Sequence, residues 1–136
     1  MEPDAPARHL YDRDPTVETF GISLLAADAN GATVQMTIRP EMCNGYGIVH
    51  GGLTFLLADS AMAFASSGDN ETALATSAGI DWFAPARAGQ VMTATAVRCG
   101  GGKKSVVWDI EVSADGEMIA RFRGRTRKVG TPVIDT

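Results

Sequence analysis

The central stretch NGYGIVHGGLTFLLADSAMAFA, residues 44–65, gives the clearest indication of the fold. A glycine-rich loop, 41–51, leads into a run, 52–67, whose length and content of leucine, alanine and methionine favour a helix. The run is apolar nearly all round, which is typical of a helix that is buried on most sides. One acidic residue, Asp59, interrupts it.

The segments on either side of the helix have the period of β-strands. Residues 21–40 alternate between apolar and polar side chains around an Asn30-Gly31 pair, which predicts a hairpin with its turn at that pair. After the helix, an Asp115-Gly116 turn and further alternation predict strands over 73–84, 91–99, 105–114 and 118–129. One long buried helix wrapped by a curved antiparallel sheet of five to six strands is an α+β arrangement.

The length of 136 residues suits one domain with its own core. Residues 1–15 contain three prolines and mixed charges, and they predict a flexible or short-helical N-terminal arm. We expect the single domain to span residues 16–130 and residues 131–136 to form a frayed tail.

Composition and charge exclude several classes of function. The net charge of −4 does not favour binding to nucleic acid or to an anionic membrane surface. Two cysteines, Cys43 and Cys99, are too few for a disulfide framework, and no spacing of cysteine and histidine predicts a metal site. The N-terminus has no apolar signal core and the run at 52–65 is too short to span a membrane, so we expect a reduced, cytoplasmic protein.

Asp59 has no basic residue three or four positions away on its own helix. An ionised carboxylate in apolar surroundings is costly unless something compensates it or a cleft keeps it wet. One interpretation is therefore a solvent-exposed helix position or a partner from the sheet, such as Arg121 or Arg123. The other is a reactive carboxylate whose basicity is raised by its apolar setting.

Gly51 and Gly52 occupy the first turn of the predicted helix, where backbone N–H groups lack intrahelical acceptors. Glycine there lets a ligand oxygen approach closely, as an oxyanion site requires, although the pair could also serve only a tight turn. Gly51 and Asp59 lie about 12 Å apart along one helix axis. If both act on one carbonyl, they must come from two chains whose helices pack antiparallel in a symmetric dimer.

The loop and helix together resemble the hotdog-fold acyl-CoA thioesterases of the phenylacetic acid degradation type. The resemblance depends on Asn44, the triplet His50-Gly51-Gly52 and Asp59, followed by a helix of small residues. The stretch GIDWFAPARAGQ, residues 79–90, also resembles the central strand of that family. The order of predicted elements matches the hotdog fold from about Thr16 to Val129.

The resemblance implies a role for each matched residue. It implies that Asp59 attacks the thioester or activates a water, that the Gly51 N–H polarises the thioester carbonyl, and that His50 and Asn44 orient the loop, the thioester or the lytic water. In related enzymes a threonine one turn after the carboxylate assists it, but Ala63 stands at that position here. Ser60 or another residue substitutes, or the assistance is absent.

The implied reaction needs no cofactor, because coenzyme A is part of the substrate. The resemblance also implies a homodimer that forms the active site, and a dimer of dimers. Arg87, Lys103 and Lys104 are candidates to hold the phosphates of coenzyme A, although the lysines could also be a solvated hairpin tip. Candidates for the wall of the acyl pocket are Phe55, Met62, Trp82 and Phe83.

Two other functions remain open from the sequence. A hotdog hydratase or dehydratase acting on enoyl thioesters would use an acid–base pair, but His50 and Asp59 are nine residues apart. A non-catalytic module that binds acyl-CoA would keep Asp59 only as a structural acid. A nucleophile at Cys43 is disfavoured, because nothing in the sequence places a base against it.

Overall fold

The structure, a computed structural model, describes residues 2–135. Its helices are α1 (Ala5–Tyr11), α2 (Pro15–Phe20) and α3 (Gly51–Ser66), and a 3₁₀ turn covers Pro40–Met42. Its strands are β1 (Ser23–Asp28), β2 (Gly31–Thr37), β3 (Glu71–Trp82), β4 (Val91–Gly101), β5 (Ser105–Ala114) and β6 (Glu117–Pro132). Within residues 2–135, no helix is long and apolar enough to cross a membrane.

The six strands form one sheet in the order β1-β2-β4-β5-β6-β3, and every neighbouring pair is antiparallel. Helix α3 packs on one face of this sheet, and the core lies between them. Leu57 from α3 meets Trp108 and Phe122 from the sheet there, and none of the three is more than 1% exposed. The indole N–H of Trp108 donates to the Thr126 hydroxyl at 2.9 Å. The α+β class with one main helix and six strands is confirmed.

A close contact sets where α3 crosses the sheet. A Cβ atom at Gly124 on β6 would lie 2.3 Å from Sδ of Met62, so the Met62 side chain occupies the space that a larger residue at position 124 would need. Met62 is consequently 1% exposed and belongs to the core. Its expected place in the wall of an acyl pocket stays a prediction, since within one chain the side chain packs against β6.

One of the two predicted turns is confirmed and the other is displaced by one residue. Asp115 and Gly116 both have positive φ, 48° and 89°, as the short turn between β5 and β6 requires. Asp28 pairs with Gly31, so the first turn is centred on 29–30 and Gly31 begins β2. A Cβ at Gly31 would lie 2.2 Å from the Ala96 carbonyl oxygen, so the glycine serves strand packing rather than the turn.

The N-terminal segment is helical and docks on the domain. Asp4 caps α1 by accepting a hydrogen bond from the Ala7 N–H at 3.1 Å, and Ala7 is fully buried. The Tyr11 hydroxyl donates to the Ile22 carbonyl at 2.8 Å, and its ring packs edge-on against Phe64 of α3. Helix α1 is therefore fixed beside the C-terminal half of α3.

The last strand extends further than the alternation indicates. β6 continues past Gly130 to Pro132, which pairs with Glu71. The Asn70 side chain then donates to the Ile134 carbonyl at 2.9 Å and accepts from the Ile134 N–H at 3.0 Å. These contacts hold the C-terminal segment at the beginning of β3.

Candidate active site

The loop before α3 is shaped by the Asn44 side chain. Its Oδ1 accepts hydrogen bonds from the N–H groups of Tyr46 at 3.0 Å and Ile48 at 3.4 Å. The backbone of Asn44 also donates to the Ile48 carbonyl at 2.8 Å. The Val49 N–H donates to the Ala86 carbonyl at 2.7 Å and so ties the loop to the segment after β3. Asn44 thus fixes the conformation of the loop that leads to Gly51.

His50 is the N-cap of α3. Its Nδ1 accepts a hydrogen bond from the Gly52 N–H at 3.1 Å. An acceptor at Nδ1 places the ring proton of the neutral imidazole on Nε2, where it can be donated to a ligand. Nine residues at 1.5 Å per residue separate His50 from Asp59 by about 13 Å along the axis. The two residues of one chain therefore cannot form an acid–base pair.

Gly51 offers a free backbone donor beside a cavity. Its N–H has no hydrogen-bond acceptor in the described chain, while its carbonyl accepts from the Trp82 indole N–H at 3.3 Å. A Cβ at position 51 would lie 3.1–3.2 Å from the Trp82 ring. A cavity of about 390 Å³ adjoins this donor, and it is lined by Asn44, Ile48, Val49, Gly51, Thr54, Trp82, Phe83, Ala84 and Pro85.

Asp59 lies half-buried on α3 and has no hydrogen-bond or ion-pair partner among residues 2–135. Burial raises the pKa of its carboxyl group. The two arginines considered as partners are engaged elsewhere, because Arg121 pairs with Glu111 and Arg123 pairs with Asp109 at 2.7 Å. A compensating partner from the sheet is therefore absent from the described residues.

Asp59 belongs to a stripe of α3 that the sheet does not cover, which we name the open face. The spacing of its members places them on one side of a helix, and each is exposed or half-buried. They are Gly52, Leu56, Asp59, Ser60 and Ala63. The Ser60 hydroxyl donates to the Leu56 carbonyl at 2.8 Å, so its proton is already used within the helix.

The adjacent edge of the sheet is also uncovered. β3 pairs with β6 on one side only, and residues 74–79 are exposed. No charged residue interrupts β3 between Glu71 and Asp81. Natural proteins usually guard such a long edge with charges, prolines or a covering segment. This edge and the open face of α3 together form one continuous surface that no other described segment covers.

The residues expected to hold coenzyme A do not come together in one chain. Arg87 lies at the N-terminal end of α3, where its guanidinium donates to the Gly47 carbonyl at 3.4 Å. Lys103 and Lys104 lie in the exposed turn between β4 and β5. The Lys104 carbonyl accepts from the N–H of Lys128, which pairs with Ala73 at the start of β3, so the lysines lie at the opposite end of the sheet.

Of the four expected pocket residues, two line the cavity, whereas Met62 and Phe55 do not. Trp82 and Phe83 line it and are 55% and 61% exposed. Phe55 instead packs edge-on against Phe122 with ring centroids 5.0 Å apart.

Ile48 and Thr54 also line the cavity, although no sequence pattern singled them out. Thr54 follows Gly51 by three residues and therefore lies on the same side of the helix, a relation that the sequence does contain.

Comparisons with known proteins identify the family to which the chain belongs. Residues 46–120 match the family model described as the thioesterase superfamily. The acyl-coenzyme A thioesterase PaaI of Escherichia coli strain K12 is 37% identical over 125 residues, which are 91% of this chain and 89% of that protein. A solved structure of E. coli PaaI from the phenylacetic acid degradation operon has a TM-score of 0.90 and 34% identity, and the alignment covers 93% of each chain.

A second similar protein comes from another bacterium. The structure of a mutant of the phenylacetic acid degradation protein PaaI of Thermus thermophilus has a TM-score of 0.82 and 32% identity, covering 85% of this chain and 100% of that one. The family match spans more than half of the chain, and the free donor at Gly51 and the unpaired Asp59 lie within it. The chain belongs to the hotdog-fold thioesterase superfamily and is a thioester hydrolase of the phenylacetic acid degradation type.

Proposed function

We propose that this enzyme hydrolyses acyl-CoA thioesters at a site shared by two copies of the chain. Asp59 of one copy supplies the base or nucleophile, and the Gly51 N–H of the other copy binds the oxygen of the thioester carbonyl. The observation that carries this proposal is the half-buried Asp59 carboxylate, which has no partner among residues 2–135. A group of raised pKa on an uncovered face is suited to accept a proton or attack carbon.

The Gly51 N–H is suited to stabilise the negative charge that develops during the reaction. It lies at the positive end of the α3 dipole and has no competing acceptor among the described residues. A donor of this kind acts on the tetrahedral state, in which the carbonyl oxygen carries the charge. The Trp82 ring against Gly51 keeps water from one side of the donor.

Two routes conserve atoms and charge. In the first, Asp59 removes a proton from water, the hydroxide adds to the thioester carbon, the C–S bond breaks, and the proton held by Asp59 passes to the departing thiolate, which leaves the acid, free coenzyme A and ionised Asp59. In the second, an Asp59 oxygen adds to the carbon and expels the thiolate to form a mixed anhydride, which water then cleaves. Both routes require ionised Asp59 and develop charge on the same carbonyl oxygen.

A two-fold dimer reconciles the positions of the two groups. One helix separates them by about 12 Å, but antiparallel packing of two open faces would bring Gly51 of one copy beside Asp59 of the other. The small residues Gly52, Ser60 and Ala63 allow such close packing. In the same dimer, the uncovered edge of β3 in one copy can pair with the β3 edge of the other copy.

The same symmetry supports coenzyme A as the carrier of the acyl group. Antiparallel packing would bring the Arg87 end of one copy to the Lys103 and Lys104 end of the other, so that both sets of cations flank one site. The relative from E. coli is named an acyl-coenzyme A thioesterase, and the solved relatives come from phenylacetic acid degradation. We therefore propose an aromatic acyl group of the phenylacetyl type, and a dimer of dimers as the complete assembly.

The experiment follows thiol release from a panel of esters: phenylacetyl-, hydroxyphenylacetyl-, benzoyl-, hexanoyl- and palmitoyl-CoA. Release that disappears in Asp59→Asn supports hydrolysis and ranks the acyl groups. Tight binding of these esters without release would favour the non-catalytic module instead. Addition of water to an enoyl-CoA would favour a hydratase, in which His50 of one copy and Asp59 of the other would act as the acid–base pair, although the Nδ1 of His50 is already engaged by the Gly52 N–H.

A further inference from the structure

An apolar groove outside the mechanism lies between α1, the C-terminal half of α3 and the beginning of β3. Its volume is about 440 Å³, within the range of small-molecule sites. Most of its walls are aliphatic or aromatic: Leu10, Pro15, Ala63, Phe64, Leu74 and Val133. Of the charged side chains at its rim, Arg13 donates to the His9 carbonyl and Asp14 caps α2, so both are engaged with the backbone.

We propose that this groove receives the acyl group of the substrate and that α1 sets the length of acyl group that the enzyme accepts. The proposal rests on the proposed function, because the position of Asp59 fixes where the thioester carbon lies. It assigns a role in specificity to the N-terminal segment, which takes no part in the chemistry.

The groove begins one helical turn beyond the carboxylate. Ala63 follows Asp59 by four residues, so it lies on the same side of α3 and about 6 Å further along the axis. Ala63 is exposed, and it belongs both to the open face and to the wall of the groove. An acyl group that extends from a thioester at Asp59 along the open face therefore enters the groove at Ala63.

The proposed dimer closes the groove from the other side. Within one chain, Trp82 at the end of β3 touches Gly51, while Leu74 near its beginning shares the groove with Ala63. β3 and α3 therefore run in opposite directions, and a two-fold axis that exchanges the ends of α3 exchanges the ends of β3 too. The cavity beside Gly51 of one copy and the groove of the other then meet at the thioester.

Helix α1 is built as a fixed end wall. Its cap at Asp4, the buried Ala7 and the hydrogen bond from Tyr11 hold it against the domain. Leu10 is 37% exposed and lines the groove. Because Leu10 forms the wall at this end, while the Arg13 and Asp14 side chains at the rim are hydrogen-bonded to backbone groups, the groove suits an uncharged ring or an aliphatic chain that ends at α1.

The test measures binding rather than turnover. Calorimetric titration of the Asp59→Asn protein uses coenzyme A, the straight-chain esters from acetyl- to dodecanoyl-CoA, and phenylacetyl-CoA. Each methylene that enters the groove should tighten binding by about fourfold until the chain reaches α1, after which the affinity should stay level. Leu10→Ala should move that level point to longer chains, and Ala63→Phe should move it to shorter ones.

Leu25→Ala is the matched control, because Leu25 is a similarly exposed leucine on β1, 43% against 37%, and lies outside the groove. It should leave the profile unchanged, and neither Leu25→Ala nor Leu10→Ala should alter the affinity for coenzyme A itself. Since Ala63 also lies on the open face, Leu10→Ala decides the result if Ala63→Phe changes the oligomeric state.

Two outcomes would overturn the inference. In one, the dependence of affinity on acyl chain length is the same in Leu10→Ala as in the parent. In the other, that dependence shifts in Phe83→Ala, a substitution at the cavity beside Gly51. Turnover by the unsubstituted enzyme is measured separately. A profile that moves without any turnover would leave the inference standing and reject hydrolysis.

Discussion

Asp59 and Asp109 lie in environments that shift the pKa values of their carboxyl groups in opposite directions. Asp109 lies on the outer face of the sheet, where Arg123 across the strand pair donates two hydrogen bonds at 2.7 and 2.9 Å and lowers the pKa of the carboxyl. Asp59 lies on the open face of α3, where burial raises its pKa and none of residues 2–135 compensates its charge. The acids of the outer face are paired with arginines, while the open face leaves one carboxylate without a partner among the described residues.

The largest difference between the two carboxylates is expected when each aspartate is replaced by asparagine. Asp59→Asn should lower kcat for acyl-CoA hydrolysis by about a thousandfold, because it removes the proposed base or nucleophile while keeping the size of the side chain. Asp109→Asn should change kcat by less than about twofold, because its carboxylate lies outside the proposed site. Thiol release measures both, and equal losses in the two variants would reject the assignment.

The second comparison concerns two glycines. Gly51→Val places a Cβ 3.1–3.2 Å from the Trp82 ring and should displace the N–H donor, lowering kcat by about a hundredfold. Gly102→Val is the matched control, because nothing lies within 4 Å of the Cβ position there. A partial recovery in the Gly51→Val, Trp82→Ala double variant, relative to Trp82→Ala alone, would assign the loss to this contact. Full activity in Gly51→Val would contradict the role of the donor.

The pH dependence of kcat/KM should also distinguish the two carboxylates. Both proposed routes need ionised Asp59, and its pKa is raised, so kcat/KM should fall with decreasing pH at a value above the ordinary aspartate pKa of about 3.9. The Asp109→Asn variant should follow the same curve, since that carboxyl does not take part. An acid limb at or below the ordinary value would contradict the assignment of Asp59.

The smallest effects concern stability, and their signs should be opposite. A raised pKa means that the ionised Asp59 disfavours the folded state at neutral pH, so Asp59→Asn should raise the unfolding midpoint by a few degrees at most. That gain should vanish as the pH falls through the pKa of folded Asp59, because the parent carboxyl is then neutral too.

The lowered pKa of Asp109 means that its ionised form stabilises the fold above its unfolded pKa. Asp109→Asn should therefore lower the midpoint at neutral pH, and only slightly because the pair is exposed. This loss should disappear as the pH falls through the pKa of folded Asp109. Thermal unfolding between pH 3 and pH 7 checks both signs, and shifts of the same sign at pH 7 would contradict the account.

Local patterns were sufficient to predict the sheet and the helix. The alternation of apolar side chains and the Asp115-Gly116 pair report on neighbours in sequence, and these set strands and tight turns directly. The first turn was misplaced because Gly31 is required by its approach to the Ala96 carbonyl, a contact across 65 residues. The caps at Asp4 and Asp14, each followed by a proline at the helix start, could have predicted α1 and α2 firmly.

The candidate site was only partly predictable for the same reason. The absence of a helical partner for Asp59 is visible in the sequence, but the engagement of Arg121 and Arg123 with other acids depends on strand register. The sequence position of Met62 suits a pocket residue, and only the contact with Gly124 on β6 places it in the core. Likewise, only the topology separates Arg87 from the lysines of the β4–β5 turn.

A mixed dimer tests directly whether two copies of the chain form one active site. Asp59→Asn and Gly51→Val chains carry different affinity tags, are co-expressed, and are purified over both matrices. In a shared site, one of the two sites of a mixed dimer combines an intact Gly51 with an intact Asp59, so we expect up to about half of the unsubstituted activity per dimer, and the full half when every dimer of the assembly is mixed. Activity no higher than that of the two variants alone would contradict the account.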